Sequence, residues 1–292
     1  MRAIGKRFLA GIAIACLGIL AVASTPSSGH AQGILPEARA ALPEAVRSAG
    51  VLKVATSLQW PPFGYKTEAG EVEGIDIRLL NILAAKLGLK LDLDDVKFPV
   101  IVPGVGNGRY HAGMNQIAIT ADRAKVVDFV PYLKSGFSLL VRSGTTGIDI
   151  NSLCGRTLVL TQGSGQIPVA EKLSAQCVAA GKKEIAFQFY PNSADSYLAL
   201  ANGRGDGFIV GQASGIYIAK GNPKLAMTTS VLEDSLSISG IVVAKGNEAL
   251  QKALLMAMES AVSDGSYARI MGEFGVPDGA LTIAEMRQHA KQ

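Results

Sequence analysis

Ile75-Asp-Ile-Arg-Leu-Leu-Asn-Ile-Leu-Ala-Ala-Lys-Leu87 is the stretch on which the fold turns. Ile77, Leu80, Leu83, Ala84 and Leu87 recur at helical spacing on one face, and Gly88 follows as a terminator. Upstream, Val51-Leu-Lys-Val-Ala-Thr56 has the composition of a buried strand, and 89–96 supplies another. A helix lying between two strands is the signature of a crossover that joins parallel strands, so the chain reads as α/β.

The same alternation continues outward. A helix at 100–106 and a strand at 112–117 complete a first unit. The small-residue stretch Ser143-Gly-Thr-Thr-Gly147 then reads as a connection. Beyond it the pattern predicts strands at 157–160, 185–190, 208–210, 225–229 and 238–244, with helices at 167–180, 193–201 and 249–263. Two phrases echo each other across the halves: Gly106-Asn-Gly-Arg-Tyr-His-Ala-Gly113 and Ala201-Asn-Gly-Arg-Gly-Asp-Gly207. In each, a helix is expected to end on Asn-Gly-Arg just before a buried strand, with Gly as the terminator.

The N-terminus reads as a targeting segment. Arg2, Lys6 and Arg7 precede an apolar run from Phe8 to Ala23, and a small polar stretch ends at Ala31. This is the pattern of a secretory signal peptide over 1–31, too short in its apolar core for the roughly 20 residues of a spanning helix. The mature chain is expected to start near Gln32 and to be periplasmic. Cys16 lies within the apolar run, which argues against lipidation. The segment carries three of the 28 basic residues and none of the 24 acidic ones, so its removal leaves a net charge of about +1. No cluster of Lys and Arg remains that resembles a nucleic-acid footprint. Some 260 residues can bury one large core or two smaller ones, and two lobes suit the pattern better.

Only Cys154 and Cys177 follow the signal segment. An even pair in an oxidising compartment is read as a disulfide, with two free thiols as the alternative. The sequence has no Cys/His metal spacing, no Walker-type loop and no Gly-x-Ser-x-Gly elbow, and no cofactor is expected.

Three phrases, taken in order, resemble the bacterial extracellular solute-binding proteins of family 3, the receptors of polar amino-acid ABC importers. They are Leu52-Lys-Val-Ala-Thr-Ser-Leu-Gln-Trp-Pro-Pro-Phe63, Gly74-Ile-Asp-Ile-Arg-Leu-Leu80 and Ala118-Ile-Thr-Ala-Asp-Arg-Ala-Lys-Val-Val-Asp-Phe129. Leu153-Cys-Gly-Arg-Thr-Leu158, Gln162-Gly-Ser-Gly165 and Asp264-Gly-Ser-Tyr-Ala-Arg-Ile270 also fit. The resemblance implies the two-lobed periplasmic-binding-protein fold of type II, with two crossing hinge strands and the solute in the cleft between lobes. Lobe one would be 48–138 plus 236–280 and lobe two 139–235. It further implies a monomer that closes on its solute by hinge motion and is read by a membrane permease.

By the same resemblance, Arg123 grips the solute carboxylate. Its planar fork can donate two parallel hydrogen bonds, and Thr120 is placed to cap the helix that carries it. The alternative is an exposed arginine in a first helical turn, where the helix dipole opposes it. Trp60 and Phe98 fall where the family places two apolar walls, with core packing as the alternative for each. Asn115, Gln116 and Ala118 align with the segment offering hydrogen bonds from lobe one. Gln162-Gly-Ser-Gly-Gln166 precedes a helix and offers backbone N–H groups, with Ser164 and Gly165 as contacts from lobe two.

Two departures bear on the solute. Many family members carry an acid for the ligand ammonium five residues beyond the position of Asp206, and here that residue is Gly211, followed by Gln212. A buried ammonium without a negative partner is expensive. Asp195, Glu233, Asp234 or an amide network through Gln212 would have to substitute, or the solute is a small carboxylate lacking that group. Ser57 stands where receptors for basic amino acids carry an Asp, which argues against lysine, arginine and ornithine. A dehydratase of the same fold acting on a cyclic carboxylate is the second reading. It needs a general acid, for which Glu71 and Glu73 are loop candidates with surface solvation as their ordinary explanation.

Overall fold

The computed structural model describes residues 33–291, apart from 163 and 192. The expected signal segment at 1–31 lies outside the described residues.

The helix expected from its spacing runs Ile75–Leu87 and ends on Gly88. Its burial extends beyond one face, with Ile75, Leu79 and Ile82 also enclosed. The reason is packing on both sides, against the strand Lys90–Asp95 and the helix Glu248–Ser263. Lys86 near its end is buried too, and its Nζ donates to Asp264 Oδ2 at 2.5 Å and Ser260 Oγ at 3.0 Å.

Two five-stranded sheets organise the chain. In the first the order is Lys90–Asp95, Val51–Thr56, Ala112–Gly113, Ser237–Ala244, Val127–Ser135. In the second it is Ala186–Tyr190, Thr157–Thr161, Gly207–Gly211, Phe137–Arg142, Leu225–Val231. Both sheets follow one plan. Three strands run parallel, a fourth pairs antiparallel with the third, and a fifth pairs antiparallel with the fourth. Each sheet has its own apolar core clusters. The fold is α/β and two-lobed.

The fourth strand of each sheet comes from across the molecule. Val127–Ser135 of the first sheet passes through Gly136 directly into Phe137–Arg142 of the second. Leu225–Val231 returns through a short 3₁₀ turn at Glu233–Ser235 into Ser237–Ala244. These connections run side by side, with Ser135 opposite Ser237 and Ser138 opposite Val231. Gly136 sits where they touch. A Cβ there would meet Val231 Cγ1 at 2.6 Å and Leu236 Cδ2 at 3.1 Å, so a larger residue requires those side chains to shift.

The echoed phrases adopt the same turn. Gly108 and Gly203 both have φ of 78°. Arg109 N–H donates to Gly104 O and Arg204 N–H to Ala199 O, each at 3.0 Å, leading into the third strand of the respective sheet. Cys154 and Cys177 form a disulfide that ties the approach to strand Thr157–Thr161 to the helix Ile167–Ala179.

Three local expectations need correction. The strand expected at 112–117 pairs only over Ala112–Gly113, because the backbone leaves the ladder at Asn115 and Gln116; it rejoins through an isolated bridge between Ala118 and Ser239. The helix starting at Thr120 is the single turn Ala121–Ala124, too short to exert a large dipole. The helix expected at 100–106 begins earlier, at Phe98. A small three-stranded sheet of Gln59–Trp60, Gly64–Lys66 and Val72–Glu73 and the helix Gln212–Gly221 had no sequence expectation.

Candidate functional site

The crossing strands form the floor of a cleft of about 480 Å³. Ser135, Gly136, Phe137, Ser235 and Ser237 line that floor. From the first-sheet side come Trp60, Gln116, Ala118 and Ser239, and from the second Thr161, Ser164, Gly165, Ser193, Gly211 and Ser214, together with Gln162 and Gln166. Among the described residues, the lining includes seven serines and no charged side chain. Each hydroxyl both donates and accepts, so such walls suit a ligand rich in hydrogen-bonding groups.

A second cleft of about 460 Å³ adjoins it and is bounded by Ser57, Gln59, Lys97, Phe98, Pro99 and Asn115. Trp60 and Gln116 line both and therefore form the partition. Trp60 is 42% exposed and Phe98 41%, which sets aside core packing for both. The Trp60 indole N–H donates to Gln116 Oε1 at 2.9 Å, and Gln116 Nε2 donates to Ser135 Oγ at 3.2 Å. One amide thus links the aromatic wall to the floor.

Gln116 is held in an unusual backbone conformation, with φ of 49°. Few non-glycine residues occupy that left-handed region. Its N–H meets Tyr132 Oη at 3.0 Å and Asp76 Oδ2 at 3.2 Å, and Tyr132 Oη donates to Asp76 Oδ1 at 2.8 Å. Asp76 is fully buried. Burial pushes its carboxyl up to about 7, against the lowering effect of the hydrogen bonds from Tyr132 and Gln116. Beside Gln116, Asn115 is buried and donates from Nδ2 to Ser57 O at 3.1 Å.

Arg123 lies outside both sets of lining residues. Thr120 Oγ1 accepts its backbone N–H at 3.3 Å, as expected of a cap. Its Nη1 donates to Ala118 O at 2.9 Å, and its guanidinium carbon lies 5.8 Å from the Phe98 ring centroid, a cation–π distance. Arg123 therefore touches one lining residue of each cleft. Gln212 begins the helix Gln212–Gly221 and donates its backbone N–H to Gly136 O at 3.0 Å; it too lies outside the lining. Ser164 Oγ is buried in the cleft wall and has no hydrogen-bond partner among the described residues. A Cβ built at Gly211 or Gly165 would meet nothing within 4 Å.

The sequence-derived set is thus partly brought together. Trp60, Gln116, Ala118, Ser164 and Gly165 share the larger cleft, and Trp60, Gln116, Phe98 and Asn115 the adjoining one. The floor serines were not anticipated. A signal was present in Ser235-Leu-Ser-Ile-Ser239, whose two-residue alternation puts three hydroxyls on one side of an extended segment. Of the carboxylates weighed as substitutes, Asp234 pairs with Lys172 at 2.9 Å on the surface, and Glu233 is exposed. Glu73 is engaged by Arg78 Nε at 2.7 Å; that hydrogen bond holds its carboxyl below the usual range, against burial.

Two lobes, two crossing strands and a polar cleft across them define a solute-binding protein of the two-lobed periplasmic type. The chain belongs to the bacterial extracellular solute-binding proteins, family 3, whose family model matches residues 52–276. It is 26% identical over 260 residues to the arginine-binding protein ArgT of Corynebacterium glutamicum, covering 86% of this chain and 82% of that protein. Among solved structures, an ancestral arginine-binding protein bound to arginine is 29% identical, with a TM-score of 0.61 over 77% of this chain and 98% of that one. A cyclohexadienyl dehydratase of Pseudomonas aeruginosa is 32% identical over 125 residues, 42% of each chain. Among the described residues, no helix is long and apolar enough to cross a membrane.

Proposed function

We propose that this chain is an exported, periplasmic receptor that captures a small carboxylate or amino-acid-like solute and delivers it, as a monomer, to the permease of an ABC importer. In this reading 48–138 with 236–280 form one lobe and 139–235 the other, and the lobes close about the crossing strands. The observation that carries it is the cleft itself: a polar, uncharged chamber whose floor is the hinge and whose partition is an aromatic ring braced by an amide. Arg123, tethered through Nη1 to Ala118 O, would turn the rest of its fork to the solute carboxylate. Trp60 and Phe98 would flank the carbon skeleton. Asn115, Gln116 and Ala118 would bond it from one side, and Ser164, Gly165 and Gln212 from the other.

The second reading, a dehydratase, draws on the partial likeness to such an enzyme. It requires a general acid in the cleft. The lining offers hydroxyls and amides, and Glu73 is committed to Arg78, so binding is the better supported chemistry.

Thermal-shift screening of residues 32–292 against amino acids, their deaminated analogues and plain carboxylates tests the receptor reading. A true solute at a hundredfold excess over its dissociation constant should add about 2.7 kcal/mol of stability. If no carboxylate or amino acid shifts the transition, the reading is wrong.

A further inference from the structure

A buried acid ordinarily has a cation for a partner. Asp76 has instead a phenol and a backbone amide: Tyr132 Oη at 2.8 Å on one oxygen and Gln116 N–H at 3.2 Å on the other. An apolar residue would serve the core of helix Ile75–Leu87 at this position at lower desolvation cost. Its place in the first helical turn compensates part of that cost, since the positive end of the helix dipole favours an anion. The remainder calls for a use. What the carboxylate touches is the single non-glycine residue with positive φ among the described residues.

We infer that Asp76 is the positioning residue of the solute cleft. With Tyr132 it closes a three-way hydrogen-bonded ring on the Gln116 N–H and so holds that backbone in the left-handed region. From that conformation the Gln116 side chain reaches Trp60 Nε1 and Ser135 Oγ together. Tyr132 is itself fixed from the far side, because Tyr267 Oη donates to its carbonyl at 2.7 Å and accepts Leu281 N–H at 2.8 Å. The path from core to cleft is continuous: Tyr267, Tyr132, Asp76, Gln116, Trp60. Asp76 never meets the solute. It decides where the partition between the two clefts stands.

This inference takes its meaning from the receptor reading, but one arm of its test needs no ligand. Trp60 is the only tryptophan in the chain, so intrinsic fluorescence reports the partition alone. Asp76→Asn, Tyr132→Phe and Gln116→Ala, made in residues 32–292, are compared by emission maximum and acrylamide quenching. Asp76→Asn should shift emission to the red and raise quenching in the direction of Gln116→Ala, with Tyr132→Phe between it and wild type. For a solute found by screening, Asp76→Asn should lose about tenfold in affinity, the worth of about one hydrogen bond. If Gln116→Ala changes the fluorescence while folded Asp76→Asn and Tyr132→Phe match wild type, Asp76 does not position the cleft. Should Asp76→Asn fail to fold, Tyr132→Phe, which removes one donor from the same carboxylate, decides the question by the same criterion. A wild type that binds nothing counts against the receptor reading, and the fluorescence comparison still rules on Asp76.

Discussion

On the proposed receptor reading, the choice of solute would rest on two residues, Arg123 and Gly211. Arg123→Ala should abolish solute binding with the fold intact, since truncating one side of a desolvated charge pair costs about 2 to 5 kcal/mol. Arg123→Lys should also bind worse, because an ammonium cannot form the bidentate fork. Calorimetry on both variants gives the answer, and an unchanged affinity in the alanine variant would reduce Arg123 to a cation resting on Phe98. Gly211 lines the cleft and a Cβ built there meets nothing within 4 Å, so Gly211→Asp is a direct way to offer the cleft a carboxylate. If the natural solute carries an ammonium, the substitution should tighten binding through a charge-assisted bond. If it is a plain carboxylate, binding should weaken by repulsion. Matched pairs of an amino acid and its deaminated analogue, titrated into both proteins, separate the two outcomes.

Elements with a strong local period were legible in the sequence. The helix Ile75–Leu87 and the strand Val51–Thr56 fall where their patterns put them, and the paired Asn-Gly-Arg turns fold alike because Gly at the same offset supplies the same positive φ. Of the candidate site, the clustered residues Asn115, Gln116 and Ala118 were legible as cleft lining. The site was less legible where it is assembled from distant strands: Ser135 and Ser237 are opposite in space because two crossing connections pair, which no local window contains. The strand at 112–117 misled because its apolar residues continue past the point where Gln116 turns out of the sheet. Asp76 went unread for a related reason: an acid in a first helical turn looks like an ordinary dipole partner, and only tertiary packing encloses it. At this scale the disulfide yields a measurement. Denatured, unreduced residues 32–292 should show no reactive thiol. Cys154→Ala/Cys177→Ala should lose roughly 3 kcal/mol of stability by the loop-entropy argument for a separation of 23 residues. Two titratable thiols in the untreated protein would contradict the bond.

For the molecule as a whole, two acids act on stability in opposite senses. Burial raises the Asp76 carboxyl to about 7, whereas an unfolded Asp titrates near about 3.9. Between those values the folded state keeps a proton that the unfolded state has lost, so stability should fall as pH rises from about 4 to about 7. For Asp264, burial raises the carboxyl, but hydrogen bonds from Lys86 and Ser266 outweigh it and leave the value lowered. Its contribution is therefore present above the unfolded value and lost in more acid solution, outside the Asp76 window. Urea unfolding of wild type and Asp76→Asn across pH 4 to 8 should show the variant with the shallower decline; equal slopes would mean that Asp76 keeps one protonation state throughout.

The exchange of fourth strands also governs the order in which the chain can be finished. Val127–Ser135 pairs with Ser237–Ala244, which also holds Ala112–Gly113, so the middle of the first sheet is supplied by residues made long after its other strands. A nascent chain that has reached only Val231 has every strand of the second sheet but leaves the first split in two. Completion of the first sheet therefore waits for nearly the end of synthesis, when the second already has all of its strands.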